Sequence, residues 1–445
     1  MSGKRKSQTI EEIVKKPKLD DEISDKLSDT RRIPKEVWQE IFGSFSLKEI
    51  KLTVARVCKH FYEISNDCVQ EININEKFFT PEDEIFTSKY HHYEMFDALS
   101  NFKFLKTIKI GHDTQPNFGK DVEYFLMHAL KICPRLKYID MSKCQADLSI
   151  GFLNQISKHG QNLYGLELNF LNCETSNVLS PFKNGLKSLK HLGLTYLLDV
   201  YNNYDKENLL SLVDNCKDLN CIELPYGDVG VETVCELIHL KKNKLKHFKF
   251  GHDIGEDIEN KWLHCLIECP KLESLIIGSM LYTKSGFEAI SKLKNLRKLQ
   301  LGYKHDHLQQ EFEADDLIQI FSNGKFENLK ELYIYGIDDS IDEILVRAAL
   351  VCPSLQYLEL ECITDNRKDF SDNIIRDNII RVLLDNLPEL KEVKFEWLLD
   401  QNETNPTDNP IFVKTQFEEI VGRCKNRFQV EIGENFDYVK IVREI

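Results

Sequence analysis

Cys265 and Cys269 stand four residues apart, a separation at which two thiolates can share one zinc ion. A tetrahedral site needs two further donors, and no second ligand pair in the sequence has metal spacing. His252-Asp253 and His305-Asp306 are imidazole–carboxylate neighbours of the kind used in general-base chemistry. They recur behind Gly251 and Gly302, however, and a dipeptide that recurs with its surroundings reads as loop structure. There is no phosphate-cradling glycine loop, no His-Glu-x-x-His and no nucleophile elbow. Thiol catalysis needs an activated cysteine, and nothing singles one out among the thirteen present. No catalytic residue, metal or cofactor is therefore expected, and the chemistry left to the chain is binding.

The elements that would position a binding surface are announced by one stretch, Cys352-Pro353-Ser354-Leu355-Gln356-Tyr357-Leu358-Glu359-Leu360-Glu361-Cys362. Counted from Leu355, leucines occupy positions one, four and six. The frame recurs with first anchors at Leu105, Leu136, Leu163, Leu189, Leu219, Leu245, Leu272, Leu296, Leu329, Leu355 and Leu390, ten intervals with a mean of 28.5 residues. Leu105–Asp113 and Leu245–Asp253 are nearly the same peptide. A fixed period with the L-x-x-L-x-L pattern is the leucine-rich-repeat signature. The fold class expected is α/β, a leucine-rich-repeat solenoid over residues 69–445 with parallel strands on a concave face and helices on the convex one. Val69, Ile72 and Ile74 form a weaker first frame, and Phe428, Val430 and Ile432 a degenerate last strand that serves as the C-terminal cap.

Side chains of a strand alternate between its two faces. Positions four and six point into the core, so positions three, five and seven point to the concave side. In the last repeats these are Glu331, Tyr333 and Tyr335, then Tyr357, Glu359 and Glu361, then Glu392, Lys394 and Glu396. Tyrosine gives large contact area with few rotors to freeze, and carboxylates attract a basic target. The residues expected to meet a protein substrate with a basic segment are therefore Glu331, Tyr333, Tyr335, Tyr357, Glu359, Glu361, Glu392 and Glu396. An acidic strand face also simply keeps a protein soluble, and sequence leaves the two readings open. Earlier strands present a mixed set: Lys109, Tyr138, Asp140, Glu167, His191, Glu223, Lys249, Lys298 and Gln300.

A net charge of −14 argues against nucleic acid as a partner, since phosphate needs a basic face. No apolar run has the length of a membrane span, and no membrane partner is expected. The lysine-rich N-terminus has no apolar signal core, so the cysteines belong to a reducing compartment. Those at repeat positions, Cys133, Cys144, Cys173, Cys216, Cys269, Cys352 and Cys362, read as small buried thiols between coils. Residues 1–30 are polar and without period, a disordered tail. Its basic cluster Lys15, Lys16 and Lys18, beside Pro17, reads as a nuclear import signal, and the expected location is nuclear, cytoplasmic or both.

Residues 31–68 differ from both neighbours. Pro34 opens a helix, and Val37, Trp38, Ile41 and Phe42 make an apolar stripe at helical spacing. Phe45, Ile50, Val57 and Phe61 follow. Some forty residues hardly build a self-sufficient core, so so many large apolar side chains must be covered by a partner or by the first repeat. Ile33-Pro34, Val37, Ile41-Phe42, Phe45, Ile50, Val57-Cys58-Lys59 and Phe61 resemble the F-box pattern, with isoleucine in place of the leading leucine and without the usual leucine-tryptophan near its end. An F-box ahead of leucine-rich repeats resembles the substrate-recognition subunits of SCF-type ubiquitin ligases. The resemblance implies a small all-α F-box whose Pro34, Val37, Ile41, Phe42, Phe45, Ile50 and Val57 face a Skp-type adaptor and, through it, a cullin-RING assembly. It implies that ubiquitin transfer is done by other subunits. Two other readings stand beside it: a nuclear scaffold that binds protein partners without ubiquitin chemistry, and a small-molecule sensor. The sensor branch of the family uses a basic cluster that the mixed and acidic inner face here does not supply.

Overall fold

The computed structural model describes residues 70–74, 104–111, 118–144, 148–170, 178–195, 203–224, 229–251, 260–278, 283–303, 314–338, 341–363, 377–398, 418–419, 422, 428–433 and 438–443. The chain divides into two compact units, one of residues 1–111 and 120–139, the other of residues 112–119 and 140–445. In the first, strand β1 (Glu71–Ile74) pairs in parallel with β2 (Thr107–Ile110), Ile72 opposite Ile108 and Ile74 opposite Ile110. Helix α1 (Phe118–Ile132) follows and delivers the chain to β3 (Tyr138–Asp140). The weak first frame is thus a true strand, with Ile72 and Ile74 buried.

The second unit repeats the same unit many times. Helix α2 (Ile150–His159) leads to β4 (Gly165–Asn169), and a short 3-10 turn at Ser180–Phe182 to β5 (His191–Thr195). Then come α3 (Asn203–Asn215), β6 (Cys221–Leu224), α4 (Val231–Lys241), β7 (His247–Phe250), α5 (Lys261–Leu266), β8 (Ser274–Ile277), α6 (Lys284–Ser291) and β9 (Lys298–Leu301). Helix α7 (Ala314–Asn323), β10 (Glu331–Asp338), α8 (Ile341–Val351), β11 (Tyr357–Ile363), α9 (Asp377–Asn386) and β12 (Glu392–Leu398) complete the parallel series. From β4 to β12 each strand pairs in parallel with the next. Parallel neighbours need a crossover, and crossovers of one hand lay all the helices on one face of the sheet.

Two backbone devices recur because the anchor leucine recurs. The amide of the anchor donates to the carbonyl three residues earlier, as in Leu219 to Cys216, Leu272 to Cys269 and Leu355 to Cys352. In most repeats the carbonyl just after the anchor then accepts two amides from the next repeat: Lys190 carbonyl from Asn220 and Cys221, Asn220 carbonyl from Lys246 and His247, Gln356 carbonyl from Lys391 and Glu392. The forked acceptor sets the register at the start of each strand before any side chain is consulted. Positions one, four and six are then buried: Leu355, Leu358 and Leu360 are at most 2 % exposed. Each such side chain contributes about 1.5–3 kcal/mol by leaving water. Against Trp262 of α5, Phe248 packs at a tilt and Phe250 edge-on, at centroid distances of 5.9 and 5.0 Å.

The helices close their ends with side chains from their neighbours. Ser149 accepts from the Phe152 amide and Thr283 from the Gly286 amide, side-chain caps at the N-termini of α2 and α6. Lys241, buried in α4, donates to the Cys216 carbonyl at 2.8 Å, a second donor to the oxygen that already accepts the Leu219 amide. Cys216 in turn accepts the Leu186 amide on its sulfur at 3.3 Å. Cys133, Cys144, Cys216, Cys269 and Cys352 are all buried free thiols, as the repeat positions imply. Burial pushes Cys133 up to about 11 and Cys352 up to about 12. Burial, then Glu268, takes Cys269 up to about 12. These are packing groups and not nucleophiles. Cys173 lies outside the described residues.

The C-terminus departs from the expected order. Strand β13 (Phe428–Ile432) exists where the degenerate frame predicts it, but it does not pair with β12. A further strand, β14 (Tyr438–Arg443), lies between them, antiparallel to both. A hairpin therefore ends the parallel series. Reversing the chain covers the last strand's open edge with strands that need no helical crossover.

Candidate functional site

On β10, β11 and β12 the residues expected to meet a substrate stand in three aligned rows. Register places Glu331 beside Tyr357 beside Glu392, Tyr333 beside Glu359 beside Lys394, and Tyr335 beside Glu361 beside Glu396. The first two rows are partly exposed. The third is not: Tyr335 is 5 % exposed, Glu361 0 % and Glu396 5 %. Period-two alternation places these three on the face correctly, but it cannot tell that long neighbours cover them. Lys394 reaches over Glu396 at 3.2 Å and lies 4.7 Å from the Tyr438 ring centre on β14, and Tyr333 stacks on Tyr335 at 6.4 Å.

The face is acidic but not bare. Lys298 pairs with Glu331 at 3.1 Å, Lys440 with Glu392 at 3.2 Å and Lys394 with Glu359 at 3.7 Å. Five carboxylates on β10–β12 thus face three ammonium groups, from Lys298, Lys394 and Lys440. The excess of negative charge is felt by Tyr333. Burial first, then the carboxylates of Glu331, Glu359 and Glu392, hold its phenol well above the ordinary tyrosine range. Its hydroxyl donates to Glu331 at 3.3 Å.

Nearer the start of the same unit, the face looks different. Register aligns Gly165, His191, Cys221 and His247 in one row, and Glu167, Gly193, Glu223 and Lys249 in the next. His191 Nε2 lies 3.5 Å from Glu167 Oε1 and 3.4 Å from Glu223 Oε1. Cys221 Sγ lies 3.7 Å from Glu223 Oε1, and Lys249 Nζ 3.7 Å from Glu223 Oε2. Beyond this cluster, the Tyr303 ring covers Gly251 and Gly278, where an added Cβ would meet it at 2.2 and 2.3 Å. Sequence reading names Glu167, His191 and Glu223 as face residues but not as a group, and it passes over Cys221. They come from three strands, and only lateral register brings them together. Cys265 and Cys269, the pair with zinc spacing, form no group of three metal-binding side chains among the described residues.

Pro34, Val37, Ile41, Phe42, Phe45, Ile50 and Val57, expected to face an adaptor, and Lys15, Lys16 and Lys18, expected to direct nuclear import, lie outside the described residues. So do the polar insertions at 365–372 and 400–409. Among the described residues no helix is long and apolar enough to cross a membrane.

Strand, crossover helix and parallel strand, repeated on the L-x-x-L-x-L frame among the described residues, define a leucine-rich-repeat fold. The chain also carries an F-box domain: the family model of that description matches residues 31–71. F-box domains are docking modules for Skp-type adaptors, and F-box/leucine-rich-repeat proteins are in general non-catalytic substrate receptors. No curated protein matches the chain. Among solved structures, a chain of the yeast Rad7–Elc1 complex is similar at 15 % identity and a TM-score of 0.38, covering 91 % of this chain and 97 % of that one. The leucine-rich-repeat-containing protein LegL7 from Legionella pneumophila is similar at 13 % identity and a TM-score of 0.36, covering 71 % of this chain and 91 % of that one. Likeness at that level carries no argument about function.

Proposed function

We propose that this chain is the substrate-recognition adaptor of an SCF-type E3 ubiquitin ligase. Its F-box docks on a Skp-type adaptor, and through it on a cullin-RING assembly, while the repeat face captures a protein substrate. The observation that carries the reading is the F-box match at residues 31–71 in the same chain as a repeat array. The chain's contribution is placement: holding the substrate beside a transferring subunit turns a bimolecular encounter into an effectively unimolecular one.

Within that reading, the substrate contact is a basic segment lying along the two accessible rows, Glu331–Tyr357–Glu392 and Tyr333–Glu359. The negative surroundings of Tyr333 support it. The third row, Tyr335, Glu361 and Glu396, is buried two residues further along the same strands and lies against Tyr333 and Lys394. A basic ligand has to exchange for Lys298 and Lys440, so specificity for an extended, multiply charged segment over single charges is expected.

Affinity purification of the intact chain from its own cells, with mass spectrometry, tests the docking half. Recovery of a Skp-type adaptor and a cullin is expected, with loss of both in the Ile41→Asp, Phe42→Asp double variant. Recovery of protein partners from the intact chain with no adaptor among them would replace the ligase reading by that of a scaffold.

A further inference from the structure

We propose that the face of β4, β5 and β6 holds a divalent zinc ion, ligated by His191, Cys221 and Glu223, with the fourth position left to solvent and Glu167 beside His191. The inference is independent of the F-box and of the substrate patch.

Three donors of a tetrahedral site converge here, and Glu167 stands against His191 outside their mutual reach. Zinc binds nitrogen and oxygen at about 2.0–2.1 Å and sulfur at about 2.3 Å, so adjacent donors of a tetrahedral site lie about 3.3–3.5 Å apart. His191 Nε2 is 3.4 Å from Glu223 Oε1 and 3.5 Å from Glu167 Oε1, and Cys221 Sγ is 3.7 Å from Glu223 Oε1. The donors of His191, Cys221 and Glu223 all lie within 4.8 Å of one another. Imidazole, thiolate and carboxylate together form a donor set suited to zinc rather than to magnesium or calcium, which take oxygen alone.

The neighbourhood is cut to let these groups meet. Glu167 and Glu223 flank Gly193 in register on the outer strands. A Cβ at Gly193 would stand 2.7 Å from Glu167 Cγ, so only the absence of a side chain there lets the Glu167 carboxylate lean over β5 toward His191. Gly165, opposite His191 in register, adds no side chain of its own beside it. A thiolate and one carboxylate together neutralise a dication, and Lys249 stands at the outer oxygen of Glu223, on the side away from His191 and Cys221. In the metal-free chain, burial first and then the Glu223 carboxylate keep the Cys221 thiol protonated. Binding zinc therefore forms the Zn–S bond and releases the thiol proton to solvent.

The test uses the full-length chain, stripped with a chelator and titrated with Zn2+ by calorimetry and with Co2+ by visible absorption. One saturable high-affinity site is expected, with a thiolate-to-cobalt charge-transfer band and a rise in melting temperature. His191→Gln and Glu223→Gln should each weaken Zn2+ binding at least tenfold. Cys221→Ser should remove the charge-transfer band, and Gly193→Val should weaken binding without touching a ligand. Glu167→Gln should weaken it less than either. Circular dichroism of each variant separates lost binding from lost fold, and Cys265→Ser serves as the control thiol that should leave every readout unchanged. The proposal is overturned if the wild-type chain shows no saturable site, or if the cobalt band survives Cys221→Ser. It is equally overturned if folded His191→Gln and Glu223→Gln variants bind Zn2+ as the wild type does.

Discussion

The two ends of the second unit's sheet face present polar side chains on the same grid, yet they organise them differently. On β10–β12 the grid is filled with tyrosine, glutamate and lysine, and charges pair along and between rows: Lys298 with Glu331, Lys440 with Glu392, Lys394 with Glu359 and Glu396. On β4–β6 two grid points are glycine, Gly165 and Gly193, and the remaining polar groups converge on His191. A full grid spreads its charges into a surface for a large ligand, and a grid with gaps gathers them around a point. Small residues on a sheet face are thus not neutral spacers. They decide whether neighbouring ligands can reach one another.

Beneath both regions the core should be the same, and the largest effects test that. Leu192→Ala under the cluster and Leu360→Ala under the acidic rows are each expected to cost about 2–5 kcal/mol in urea unfolding, since both side chains are at most 1 % exposed. A much smaller loss at one of them would mean the two regions do not share one kind of core. Next come the lysines. Lys394→Met leaves Glu396 buried without its 3.2 Å ammonium partner and should cost about 1–2 kcal/mol. Lys249→Met, removing a more exposed and longer contact, should cost less than about 0.5 kcal/mol. Equal costs would erase the distinction between paired rows and a gathered cluster.

Binding sharpens the contrast further. Glu331→Lys with Glu392→Lys should weaken binding of a polybasic peptide about tenfold, roughly 1.4 kcal/mol, with the difference shrinking as salt rises. Fluorescence anisotropy at two ionic strengths would show it, and no change would detach the basic ligand from these rows. Glu361→Gln, at a buried carboxylate, should leave peptide affinity unchanged. The smallest effect is chemical. With Cys133 held near 11, only about one molecule in a thousand carries its thiolate at pH 8. Iodoacetamide at that pH should therefore label the half-exposed Cys235 and Cys265 well before Cys133, Cys269 or Cys352, as peptide mapping would reveal.

Much of this was readable in advance, and for a physical reason. An anchor leucine every 24 to 35 residues is a local instruction. It fixes where a turn closes on the carbonyl three residues back, which residues of the next strand face inward, and where a small thiol fits. The F-box is likewise a local pattern, and the family model finds it at residues 31–71. Local rules also placed Glu331, Tyr333, Tyr357, Glu359 and Glu392 on one face of their strands.

What the sequence could not decide is lateral. Whether Tyr335 and Glu396 are open or covered depends on how Tyr333 and Lys394, two residues back on their own strands, and Tyr438 on neighbouring β14 lie across the face. The insertion of β14 between β12 and β13 depends on a chain reversal that no repeat frame encodes. The meeting of Glu167, His191, Cys221 and Glu223 depends on strand-to-strand register and on the gap at Gly193. Side chains far apart along the chain become neighbours only when hydrogen-bonded ladders set them side by side, and that alignment belongs to the folded molecule alone.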